Sequence, residues 1–178
     1  MIMSPRLRKC ALMAHVTSSL GWLGAVASFL VLAVAGLTSG DGEIVRAAYP
    51  AMSLTAWWVI VPLCIASLLT GLVSSLGTAW GLFRQYWVLL KLVMTVPATI
   101  LLLVHMQPID YMAGVAAETT LAGVDLQGLR IKLVVEAGAA LLVLLAATTL
   151  SVYKPRGVTR YGARKQHEQR ALSRTHLT

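Results

Sequence analysis

Four apolar stretches, each long enough to cross a bilayer, leave this chain very few folds. Crossing about 30 Å of hydrocarbon takes about 20 helical residues. The first stretch covers residues 11–37, with His15 its only ionisable group. The second lies in the uncharged run 47–83, its core expected over 54–77. The third covers 86–107 with Lys91 near its start, and the fourth covers 131–153 with Lys132 and Glu136 near its start. Within lipid only a helix satisfies every backbone group inside one segment. The expected fold class is therefore all-α: a polytopic membrane four-helix bundle over residues 1–153, followed by a basic tail, 154–178. Charged residues are only 12% of the chain, about half the soluble norm, which excludes an ordinary soluble domain.

Could the first stretch be a cleaved signal peptide? Arg6, Arg8 and Lys9 would form its basic start, and Ala33-Val34-Ala35 resembles a cleavage site. Its apolar core exceeds the 7–15 residues of such peptides, so it is expected to remain as a span.

Orientation follows from the basic residues. Twelve of the 15 Lys and Arg fall on one side: Arg6, Arg8, Lys9, Arg84, Lys91, Lys154, Arg156, Arg160, Arg164, Lys165, Arg170 and Arg174. Arg46, Arg130 and Lys132 fall on the other, among Asp41, Glu43, Asp110, Glu118 and Asp125. The positive-inside rule then places both ends in the cytoplasm. Trp57 and Trp58 are expected at the outer interface, and Trp80, Tyr86 and Trp87 at the inner one. The net charge of +8 reads as membrane-orienting charge, not as a nucleic-acid footprint, which needs a basic face on a folded domain. The expected location is the bacterial cytoplasmic membrane, multi-pass.

Local signals refine the outer side. Asp41 is placed to N-cap a helix leading into the second span, with a bend at Pro50, and Asp125 to cap the fourth. A short interfacial helix is expected within 111–123. Pro62 and Pro97 each free a carbonyl at mid-span. Small residues mark helix contacts in lipid: Ala14, Ser18, Gly21, Ala25 and Ser28 on the first span; Ser67, Gly71 and Ser75 on the second; Gly138 with Ala137, Ala139 and Ala140 on the fourth. Cys10 and Cys64 sit at different depths and are expected to be free thiols.

Ionisable groups inside spans are the functional candidates, since each is costly there. Lys91 lies one turn from the inner edge, where its stem lets it reach the headgroups as an anchor. Lys132 and Glu136 are four apart and can pair; His105 is a second candidate partner for Glu136. His15 and His105 are the candidate cofactor ligands, for haem b. They lie near opposite edges, about 20 Å apart by helix rise, so they cannot share one iron. A soft copper site is the other possibility, with His105, Met106, Met52 and Met112 supplying imidazole and thioethers; methionine is also ordinary packing material.

The segments TGLVSSLGTAWGLFRQYWVLLKL at 70–92, ATTLSVYKPRG at 147–157 and HVTSSLGWLG at 15–24 resemble a group of bacterial predicted integral membrane proteins with no assigned activity. The likeness extends to about Gly162 and implies the four-helix membrane fold without site residues. More loosely, a histidine followed by small residues and tryptophan on the first helix resembles copper-resistance D type membrane domains, which implies copper handling.

No nucleotide loop, metal-ligand cluster, carboxylate pair or nucleophile–base constellation is legible. The leading expectation is a small membrane protein without a catalytic site or cofactor, an accessory or scaffold subunit. The second reading is a haem- or copper-handling redox protein using His15 or His105, and the third a small dimeric transporter. Expected partners are the bilayer, a membrane protein or a second copy, and anionic headgroups. The tail residues Lys154, Arg156, Arg160, Arg164, Lys165, Arg170 and Arg174 would meet those headgroups, at about 1 kcal/mol per basic residue.

Overall fold

A computed structural model of the protein describes residues 3–77, 85–117, 126–153, 159 and 163–164. Every element among them is helical: α1 (Pro5–Thr38), α2 (Gly42–Thr55), α3 (Val61–Leu76), α4 (Tyr86–Val104), α5 (Met106–Ala117) and α6 (Gln127–Tyr153). A π-helical turn, Ala56–Ile60, joins α2 to α3 without a break. Among the described residues, four helical stretches are long and apolar enough to cross a membrane: Pro5–Thr38, Gly42–Leu76, Tyr86–Ala116 and Gln127–Tyr153. They run alternately up and down. Pro5, Leu76, Tyr86 and Tyr153 mark one end of the bundle, here the terminal end; the opposite end is the far end.

The helix boundaries have local causes. Ser4 caps α1, its Oγ 3.5 Å from Leu7 N, and Pro5 follows where a helix has no use for the missing N–H. Asp41 caps α2, its Oδ1 accepting from Glu43 N at 2.8 Å. Pro62 would drive its ring into the Trp58 carbonyl of a regular α-helix, and the wider π turn lies immediately before it. Pro108 has no N–H for the Val104 carbonyl, and the helix is interrupted three residues earlier, at His105. The proposed cap at Asp125 falls outside the described residues.

The second and third stretches run further than the sequence suggests. Gly42–Leu76 contains 35 residues, about 50 Å of helix, well beyond one hydrocarbon thickness. The excess is α2, which packs on α5 and α1 at the far end. Here lie several of the most buried side chains, Tyr49, Met52 and Met112, with Met106, Ile109 and Ala116 also buried. The helix expected within 111–123 begins earlier, at Met106, and continues α4 after a one-residue interruption.

The packed seam of α1 differs from the small-residue stripe. Ser18, Trp22, Ala25, Val26, Phe29, Ala33 and Gly36 are buried, whereas Ala14 and Ser28 are exposed. Large side chains fill the gaps between helices, with small ones beside them. Gly36 shows why one must be small. A Cβ there would stand 2.9 Å from Cζ and the hydroxyl of Tyr49. Ser67 and Gly71 on α3 do face α1, with Ser67 Oγ 2.7 Å from Ser19 Oγ. Gly138 has open space around its Cβ position and marks no close contact.

Large apolar side chains remain exposed along every long helix, among them Val31, Leu54, Leu69, Ile100 and Leu142. An apolar surface this extensive needs a covering. Cys10 is exposed, Cys64 buried, and both are free; the Cys64 thiol lies 3.2 Å from Thr99 Oγ1.

Candidate functional site

Among the described residues, two polar clusters interrupt this apolar bundle, one toward each end. The terminal cluster is built on four helices. His15 Nδ1 lies 3.0 Å from the Ser67 carbonyl oxygen and 3.3 Å from Thr70 Oγ1. A carbonyl only accepts, so Nδ1 carries the proton and Nε2 presents a lone pair. Lys91 Nζ stands 3.3 Å from that Nε2 and 2.9 Å from Ser151 Oγ, donating to both. Ser151 in turn donates to the Ala147 carbonyl at 2.9 Å. One chain of donors thus crosses α3, α1, α4 and α6. Gly71 makes room for it, since a Cβ there would approach His15 Cε1 to 3.0 Å.

This cluster reveals what the sequence reading missed. Lys91, expected to extend toward headgroups as an anchor, turns into the bundle and meets His15. His15 and Lys91 both lie near the same edge of their apolar stretches, and that shared depth is the available signal. The pairing itself depends on the rotation of α1 and α4 about their axes, which the apolar pattern leaves open.

The pair forms part of the wall of a cavity of about 790 Å³. Leu12, Val16, Leu20, Leu68, Leu72, Val88 and Leu92 give it an apolar lining, and Arg8, Lys9 and Trp87 lie toward the terminal end. Ser19, Ser67, Thr95, Thr148 and Trp22 line its deeper part. Trp22 is 4% exposed, and its buried Nε1–H meets no acceptor among the described residues. Most hydroxyls here are already committed as donors: Ser75 to Gly71, Thr95 to Lys91 and Thr148 to Leu144, each to a backbone carbonyl. Those hydroxyls keep lone pairs, so they accept. The lining contains three cationic side chains and a histidine, and among the described residues no carboxylate.

At the far end, Glu136 Oε1 is 2.8 Å from His105 Nε2 and 3.7 Å from Lys132 Nζ. Both partners named from the sequence are in place. His105 Nδ1 lies 2.7 Å from the Leu101 carbonyl oxygen and so donates to it. The short Nε2–carboxylate contact therefore holds a second proton, giving an imidazolium–carboxylate pair or its neutral equivalent. Nearby on α5, Asp110 accepts from Trp57 Nε1 at 3.0 and 3.1 Å and from Ser53 Oγ at 2.7 Å. It joins α5 to α2 and to the π turn. From sequence alone, Asp110 reads only as an outer-side charge.

His15 and His105 belong to separate sites, and both nitrogens of each are engaged by protein groups. A haem iron or copper ion at either would have to displace one of those bonds, and at His15 it would face the Lys91 ammonium. Met52, Met106 and Met112 are buried in the far-end core. Among the described residues, no three His, Cys, Asp or Glu side chains come together as a metal-binding group. The tail lies outside the described residues except at 159 and 163–164. No protein family matches the chain, and no curated protein or solved structure is significantly similar to it.

Proposed function

We propose that this chain is a multi-pass protein of the bacterial cytoplasmic membrane, with both ends inside. In this reading it is a non-catalytic accessory protein that holds an amphiphilic molecule in the cavity of its inner half. The cavity carries the proposal. At about 790 Å³ it falls within the 300–1,000 Å³ of ordinary ligand sites, and like them it is mainly apolar with a few convergent polar groups. Leu12, Val16, Leu20 and Leu72 line it and are also exposed, which favours entry of an apolar chain from the side. The twelve-to-three distribution of basic residues supports the orientation.

Trp22 offers a direct test, because its burial shields it from bulk lipid. In a variant with Trp57, Trp58, Trp80 and Trp87 changed to Phe, Trp22 is the sole tryptophan. Reconstituted with single-chain amphiphiles brominated on the chain, it should be quenched, and Thr148→Phe, which fills the cavity, should relieve the quenching. Trp22 emission untouched by every brominated amphiphile would refute the proposed ligand site.

A further inference from the structure

Among the described residues, Lys91 is a cation without a counter-ion. Its described partners are a neutral imidazole nitrogen and a hydroxyl, at 3.3 and 2.9 Å. Neither balances charge. The described carboxylates lie far from it. Asp41 and Glu43 begin α2, Asp110 is on α5, and Glu136 is 15 residues before Ser151 on α6, about 22 Å along the helix axis. A charge held among apolar side chains is costly unless it is paired. The ammonium has three donors, and the described contacts use two. Arg8 and Lys9 add positive charge toward the terminal end of the same cavity. The charged groups of the described lining are therefore all cationic donors, with the Trp22 Nε1–H a neutral one, while Ser75, Thr95 and Thr148 can only accept.

Resting on the ligand-site reading above, we propose that the occupant is a single-chain amphiphile with an anionic head, a carboxylate or phosphate. Its head is the missing counter-ion of Lys91, and its chain lies along Leu20, Leu68 and Leu72. His15 acts as a positioning residue. With Nδ1 donating to the Ser67 carbonyl, Nε2 accepts from Lys91 and turns the ammonium toward the cavity. Size selects one chain over two, because a cavity of about 790 Å³ is of drug-like scale. A neutral amphiphile would leave the ammonium uncompensated. The proposal concerns binding alone and involves no covalent step.

The test uses the Trp22-only full chain in phosphatidylcholine vesicles with three brominated probes: dibromostearate, its methyl ester, and a dibromo-diacyl phosphatidylglycerol. Dibromostearate should quench Trp22 at a mole fraction about tenfold or more below the methyl ester, as expected for losing a charge-assisted hydrogen bond. Lys91→Met should reduce that preference to about twofold or less, whereas Lys91→Arg, which keeps the charge, should retain most of it. Equal quenching by acid and ester, or a preference unchanged in Lys91→Met, would overturn the anionic assignment while leaving the ligand site standing. Phosphatidylglycerol matching dibromostearate would overturn the single-chain assignment. Quenching by none of the three would overturn this inference together with the ligand site. Should Lys91→Met not fold, the acid–ester comparison in the unsubstituted background and Lys91→Arg still decide.

Discussion

Gly36 and Gly24 lie on the same helix and allow a controlled measurement of how tightly the far end is packed. Replacing either with Ala adds one methyl group and, in a helix interior, about 0.5–1 kcal/mol of favourable propensity. At Gly24 the new Cβ meets nothing within 4 Å, so that gain should appear alone. At Gly36 it would stand 2.9 Å from two atoms of Tyr49 and 3.2 Å from a third. Contacts under 3 Å require something to move, and Tyr49, 1% exposed among Met52, Val45 and Ala33, has little room to do so. Overpacking of this kind costs about 1–3 kcal/mol. Because the propensity term is common to both variants, their difference should show the steric cost: Gly36→Ala less stable than Gly24→Ala by about 1–3 kcal/mol. Reversible unfolding in mixed micelles with increasing denaturing detergent measures both. Tyr49→Leu in the Gly36→Ala background, compared with Tyr49→Leu alone, should abolish most of the difference. If Gly36→Ala were as stable as Gly24→Ala, the described approach of α1 to α2 would be wrong.

Two further outcomes are expected. Glu136→Gln and His105→Ala should be non-additive, with a coupling of about 0.5–2 kcal/mol by double-mutant cycle; additivity would show that the 2.8 Å contact contributes nothing. Lys132, 51% exposed and 3.7 Å away, should show a smaller coupling to Glu136, within about 0.5 kcal/mol. Reporter fusions at Gly42, Gly81, Gly123 and Thr178 should alternate outside, inside, outside, inside, and an outside signal at Thr178 would reject the proposed orientation.

Hydropathy and length alone determined the helical class and the four long apolar stretches, because burying backbone polar groups in lipid leaves a helix as the single-segment solution. Spacing alone also placed Lys132 and Glu136 within reach of each other, since residues four apart share a helix face whatever surrounds them. Capping by Asp41 was readable for the same local reason. Tertiary structure decided everything that depends on the rotation of one helix against another. A nearly uniform apolar surface carries little periodic signal to say which face of α1 or α4 is inward. The seam of α1 therefore falls on Trp22 and Phe29 as well as on small residues, and Lys91 enters the bundle although its distance from the edge equally suits an anchor. The extension of α2 and α5 into a packed far end was hidden for another reason: apolar residues there are buried by protein, and composition cannot separate that burial from burial by lipid. The cavity is likewise a property of four helices meeting imperfectly around His15 and Lys91, residues 76 positions apart, and no local pattern encodes the space between them.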